Sequence, residues 1–106
     1  MTDLGAEKII TAEKGITKIA IEVKSFLNPS VVHDFLLAIG QYKGYESVIK
    51  WKKIDRIMYL AMPQFAYDRL ILYEFAQEMI KDLDIKLIIF DEQLNSITAW
   101  KTQASL

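Results

Sequence analysis

Residues Thr17 to Phe26 read T-K-I-A-I-E-V-K-S-F, and the alternation in this run decides the fold. Ile19, Ile21 and Val23 project to one side of an extended chain, and Lys18, Ala20, Glu22 and Lys24 to the other. The first set is expected to face the core, and the second to form a polar face that is not simply wet. Upstream, Glu7 to Ala12 (E-K-I-I-T-A) is a second β-prone run. The glycine-containing turn Glu13-Lys14-Gly15-Ile16 joins the two into a hairpin.

Downstream, Asn28-Pro29-Ser30 punctuates the chain: Asn28 or Ser30 can cap a helix, and Pro29 is pre-set for its first turn. A helix is expected from Val31 to Lys50, with Val32, Phe35, Leu36, Ile39 and Tyr42 near helical spacing. Gly40 and Gly44 each weaken it by up to about 1 kcal/mol relative to alanine, and small residues there let a neighbour pack closely. Ile54 to Met62 is a strand stopped by Pro63. Phe65 to Leu83 is a second helix, apolar over most of its circumference and expected to be well buried. Lys86 to Phe90 is a short, continuously apolar strand suited to a sheet interior. Ile97 to Lys101 is an edge strand after the turn at Glu92 to Asn95. The order β-β-α-β-α-β-β predicts an α/β fold on a mixed sheet, in a single domain over residues 1–106.

Composition agrees with one small globular domain. The chain has 106 residues, 52% hydrophobic and 25% charged, which argues against disorder. Its net charge of −1 and pI of 5.8 exclude a uniformly basic nucleic-acid binder. With no cysteine there is no disulfide framework, thiolate nucleophile or cysteine zinc site. No apolar run reaches the roughly 18 residues of a membrane span, and the polar N-terminus is no signal peptide. A soluble cytoplasmic protein is expected.

The candidate chemistry is Glu22-Val23-Lys24. On a strand this spacing puts acid and lysine on one face, about 7 Å apart. Such a pair suits metal-assisted phosphodiester hydrolysis. The carboxylate and the Val23 carbonyl hold a hard divalent ion, and the ammonium polarises water or steadies developing charge. Magnesium fits, with manganese as substitute; a second carboxylate would come from Asp3 or Glu7 on the preceding strand. The triplet alone is a weak signal. Chance yields about 1.5 acid-x-lysine triplets in such a chain, and Asp84-Ile85-Lys86 is another. The plain alternative is a solvated ion ladder worth a few tenths of a kcal/mol. Gln41 and Tyr45 follow as Q-x-x-x-Y, on one face of a helix, where an amide and a phenol can bond a phosphate or orient the lysine. The plain alternative there is a tyrosine packed against the sheet.

Five blocks in order carry a family resemblance: D-L-G-A-E-K-I-I-T-A-E-K (Asp3 to Lys14), K-I-A-I-E-V-K-S-F (Lys18 to Phe26), A-I-G-Q-Y (Ala38 to Tyr42), D-R-I-M-Y-L-A-M-P (Asp55 to Pro63) and I-I-F-D (Ile88 to Asp91). Together they resemble the XisH family, the fdxN-element excision controlling factors of cyanobacteria, over nearly the whole chain. The resemblance implies a restriction-endonuclease-like three-layer core with a D…(D/E)-x-K site, and the Q-x-x-x-Y pair resembles that of RecB-type nucleases. Asp3 then matches the lone motif aspartate, Glu22 the motif acid and Lys24 the motif lysine; Gln41 and Tyr45 match the helix pair. Hairpin pairing about Lys14-Gly15 places Glu7 nearer Glu22 than Asp3 is, so both remain candidates for the second metal ligand. DNA and another excision factor are the implied partners. Relatives usually carry a further segment before the first block. Its absence is expected to leave one wall of the site to a partner, or to leave the chain without catalysis. A homodimer is the default for a short α/β domain with so much apolar helix surface.

Other features read blandly. His33 is the sole histidine and offers no base–nucleophile pair or metal set. Lys43, Lys50, Lys52, Lys53 and Arg56 make a locally basic region in the half that also holds Glu22 and Lys24. It suits either a phosphate backbone or a solvated helix end with cations near the negative dipole. Tyr67, Phe75 and Met79 suit core or a dimer interface, and Trp51 and Trp100 core edge or interface.

Overall fold

The computed structural model describes residues 8–14, 17–94 and 96–102, with side chains from Lys18 onward. Strands β1 (Lys8–Lys14) and β2 (Thr17–Val23) form an antiparallel hairpin in which Ile9 faces Glu22 and Ile10 faces Ile21. Beyond Val23 the Lys24 amide donates to the Ala61 carbonyl at 3.0 Å. Phe26 then turns the chain with a left-handed φ of 59°. A bulky residue in that region is strained by about 1–2 kcal/mol, and burial of the Phe26 ring offsets it.

Helix α1 (Val31–Trp51) starts where Ser30 accepts a hydrogen bond from the His33 amide at 3.1 Å. The buried Asp34 reaches back to the Asn28 amide at 3.0 Å, satisfying the loop ahead of the cap. The helix ends at Lys53, whose φ of 57° lets Lys53 and Ile54 amides return to the carbonyls of Lys50 and Ile49, a Schellman closure. Strand β3 (Ile57–Pro63), helices α2 (Gln64–Leu70) and α3 (Glu74–Asp82), then β4 (Leu87–Asp91) and β5 (Ser96–Lys101) complete the chain. The five strands lie in the order β1-β2-β3-β4-β5. The middle three are parallel and each edge strand is antiparallel to its neighbour.

Two expectations are corrected. The helix read over Phe65 to Leu83 is two, broken at Ile71-Leu72-Tyr73. One helix of that length would run about 28 Å, past the roughly 17 Å of a five-residue strand; the break folds the chain back along the sheet. Nor is this region well buried. From α2 and α3 only Ala66, Leu70, Ala76 and Ile80 are buried, with Tyr67 and Met79 half-buried against the same core, while Leu72 is 81% exposed.

Both faces of β2 are buried, and Ile19, Ile21 and Val23 face a hydrophobic cluster as expected. All three helices pack on the side that carries Ala20, Met58, Leu60, Met62, Leu87 and Ile89, so the main core lies under Glu22 and Lys24. Ile19, Tyr59, Ala61 and Ile88 form the smaller cluster on the other face, flanked by Ile21, Val23 and Trp100. The reason is topological. Right-handed crossovers from β2 to β3 and from β3 to β4 run in the same direction and deliver their helices to the same face. Among the described residues all three helices therefore lie on one face of the sheet.

Gly40 and Gly44 sit on the exposed side of α1, and a Cβ at either would meet nothing within 4 Å. Gly40→Ala and Gly44→Ala are each expected to raise the unfolding free energy by about 0.5–1 kcal/mol, read as a higher urea midpoint with unchanged slope. A drop in the midpoint would contradict the open space seen there.

Candidate functional site

Glu22 and Lys24 lie at the C-terminal end of β2, where the chain leaves the sheet for α1. Both are in the helix-covered face. Glu22 is fully buried (0% exposed) and Lys24 is 5% exposed. A solvated ion ladder is thereby excluded. Two ionisable groups inside an apolar layer are expensive unless compensated, and such placements concentrate where chemistry or binding needs them. Both residues interact with neighbours in the structure. β3 runs alongside, pairing Leu60 with Glu22 and Ala61 with Val23.

The level of α1 relative to this pair is set by Tyr42. Its hydroxyl donates to the Met58 carbonyl at 3.0 Å and accepts from the Lys86 amide at 3.2 Å. Met58 pairs with Ala20, so Tyr42 stands two residues before Glu22 along β2. Gln41, beside it, is half-buried; its Oε1 is buried and bonded to no described residue. Tyr45 is exposed and sits nearly a turn further along α1, away from Glu22. Gln41 thus shares the pair's region more closely than Tyr45 does. Asp3 and Glu7, the candidates for a second carboxylate, lie outside the described residues. Among those described, no cluster of three or more His, Cys, Asp or Glu side chains is placed to hold a metal ion.

The donor set at β2 is all oxygen: the Glu22 carboxylate and the Val23 carbonyl. That kind of set, with one or two carboxylates and the rest water or phosphate, suits a hard divalent ion such as magnesium. Two surface grooves lie elsewhere. One, of about 490 Å³, is lined by Ser30, Val32, Arg69, Leu72 and Tyr73 among others. The other, of about 300 Å³, lies by Pro63, Gln64, Asp68 and Asp91. Neither reaches Glu22 or Lys24.

Two features gain meaning only from the topology. Tyr42, read in the sequence as a spacing residue of a helix, is a buried hydrogen-bonded bridge between β3 and the start of β4. The basic residues at the end of α1, which share a sequence half with Glu22, sit at the opposite pole of the sheet. α1 runs back from the C-terminal end of β2 to the N-terminal end of β3, about 30 Å over 21 residues. The second acid-x-lysine triplet is a surface pair, with Lys86 Nζ 3.1 Å from Asp84 Oδ2. His33 is exposed. Trp100 packs edge-on to Tyr59, ring centres 5.4 Å apart, whereas Trp51 is 78% exposed.

Comparison with known proteins follows the same lines. The family model described as XisH protein matches residues 1–98. A crystal structure of an XisH family protein from Nostoc punctiforme is 35% identical with a TM-score of 0.80, covering 87% of this chain and 73% of that one. A crystal structure of an fdxN element excision controlling factor protein from Anabaena variabilis is likewise 35% identical with a TM-score of 0.80, covering 88% and 73%. No curated protein matches.

Proposed function

The chain belongs to the XisH family, and from that premise we propose that it takes part in programmed excision of a DNA element, with Glu22-Val23-Lys24 as a metal-assisted phosphodiester site on a restriction-endonuclease-like core. The observation that carries the proposal is the burial of Glu22 and Lys24 at 0% and 5% exposure, two residues apart at the end of a central strand. A core gains nothing from an acid and an ammonium that leucine and methionine would not supply.

In this reading Glu22, the Val23 carbonyl and Asp3 or Glu7 hold magnesium, or manganese in its place. Bound there, the ion would polarise a phosphodiester and lower the pKa of a bound water. Lys24 stabilises negative charge developing on phosphate oxygens, and its packed stem fixes where that charge is met. Gln41 offers an amide to orient Lys24 or a phosphate oxygen. Tyr45, exposed and further along α1, meets the nucleic-acid backbone outside the core. A second copy of the chain and another excision factor are the proposed protein partners.

A second reading, in which the same fold controls excision through partners without cutting, is favoured by one observation. The pair is buried at 0% and 5% exposure, so a phosphate reaches it only when the surrounding protein opens.

The experiment is incubation of labelled duplex, branched and single-stranded DNA with the protein in magnesium or manganese, beside Glu22→Ala and Lys24→Ala. Cleavage by the parent chain, reduced at least 100-fold in both variants, is expected. Folded protein that binds a partner but cleaves nothing, or cleavage indifferent to both substitutions, moves the function to the second reading.

A further inference from the structure

At the pole of the sheet opposite Glu22, four lysines and a tryptophan gather on the outside of the molecule. Lys50, Trp51, Lys52 and Lys53 end α1, and all four are exposed. Lys18, also exposed, stands one residue before Ile19, which pairs with Ile57 at the start of β3. The Arg56 guanidinium ties the two strands there by donating to the Ile19 carbonyl at 2.9 Å.

The lysines are not needed to finish the helix. Backbone amides of Lys52, Ile54 and Lys53 already satisfy the carbonyls of Val48, Ile49 and Lys50 at 2.9, 2.9 and 3.1 Å. Lys43 is neutralised by Glu46 at 2.9 Å, but Lys18, Lys50, Lys52 and Lys53 form no ion pair among the described residues. Asp55 offsets one of these charges and the helix dipole a fraction of another, leaving the pole positive on a chain of net charge −1. Trp51, at 78% exposure, presents its indole to solvent in the middle of the cations. A large aromatic face ringed by unpaired ammonium groups matches a strand with charged phosphates and free base faces.

We propose that Lys18, Lys50, Lys52 and Lys53, with Trp51 as stacking platform, form a binding surface for single-stranded nucleic acid. The surface is separate from Glu22 and Lys24 and stands whether or not that pair hydrolyses phosphodiesters. A strand held there lies roughly the length of α1 away from the pair. Capture of an unpaired strand and any chemistry at β2 are thus functions of two poles of one domain.

The test is fluorescence anisotropy of a labelled twenty-nucleotide oligothymidine titrated with the full chain, beside a duplex of equal length. Binding is expected to weaken with salt at a logarithmic slope of about −2 to −3, as for three to four phosphate contacts on a single strand. Lys52→Glu with Lys53→Glu is expected to weaken it more than tenfold and flatten the slope. Trp51→Ala is expected to weaken it about 5- to 100-fold while leaving the slope nearly unchanged. Circular dichroism checks that these surface variants stay folded. Oligothymidine binding that is absent, equal to that of the duplex in every variant, or indifferent to Trp51→Ala overturns the proposal.

Discussion

Tyr42→Phe is expected to lower the unfolding free energy by about 2–4 kcal/mol, the cost of leaving a buried carbonyl and a buried amide unpaired. The phenol oxygen occupies a gap in the sheet. β4 begins at Leu87, and the Lys86 amide just before it finds the tyrosine hydroxyl, which in turn donates to Met58 on β3. Phenylalanine keeps the ring and its packing, so the loss isolates the two hydrogen bonds. In a domain of this size the melting temperature should fall by roughly 10–25 °C. A pH signature accompanies it. Burial, the largest influence, pushes the Tyr42 hydroxyl well above its ordinary value of 10.0, while the Lys86 amide pulls the other way. The folded state therefore keeps its proton when the unfolded chain has lost it. The contribution to stability is fully present below pH 10 and declines as pH rises above it. Tyr42→Phe should remove that decline, so that parent and variant converge in strong alkali. A difference that stays constant from pH 8 to pH 12 would contradict the buried phenol.

Lys24→Met alone is expected to destabilise the fold by about 3–5 kcal/mol, while Glu22→Leu combined with Lys24→Met costs far less or stabilises. Removing only the cation leaves the Glu22 carboxylate in a water-poor layer without its same-face opposite charge. Removing both restores an apolar surface next to Leu60 and Met62. Chemical denaturation of the parent, both single variants and the double variant gives the coupling directly. Additive losses would mean that the two charges do not share an environment, and would remove the physical ground for reading them as one site.

Much of the fold was legible because local rules and tertiary structure agree. The alternation through Ile19, Ile21 and Val23 marks β2, and Ser30 marks the start of α1. What the sequence did not reveal has specific causes. Ile71-Leu72-Tyr73 holds no glycine or proline, so nothing local announces the break between α2 and α3; the short span of β4 does. Which face of β2 the helices cover was not readable, because alternation separates two faces without saying which one the helices take. Crossover direction decides it. Of the candidate site, the pairing of acid and lysine on one face was readable from their spacing. Their burial was not, since spacing along a strand does not say what packs over it. The basic cluster looked adjacent to the pair in sequence and is far from it in space, because a helix of 21 residues separates their ends. Asp3 and Glu7 fall outside the described residues.

Glu22 is proposed to hold the metal from within the core. Calorimetric titration of manganese into the folded parent chain and into Glu22→Gln tests it without depending on the right DNA substrate. One ion bound per chain, displaced by magnesium, is expected, with no such binding in Glu22→Gln, which keeps the side chain's shape and loses its charge. A parent chain that binds no divalent ion, or a Glu22→Gln variant that binds it as well as the parent, would contradict it.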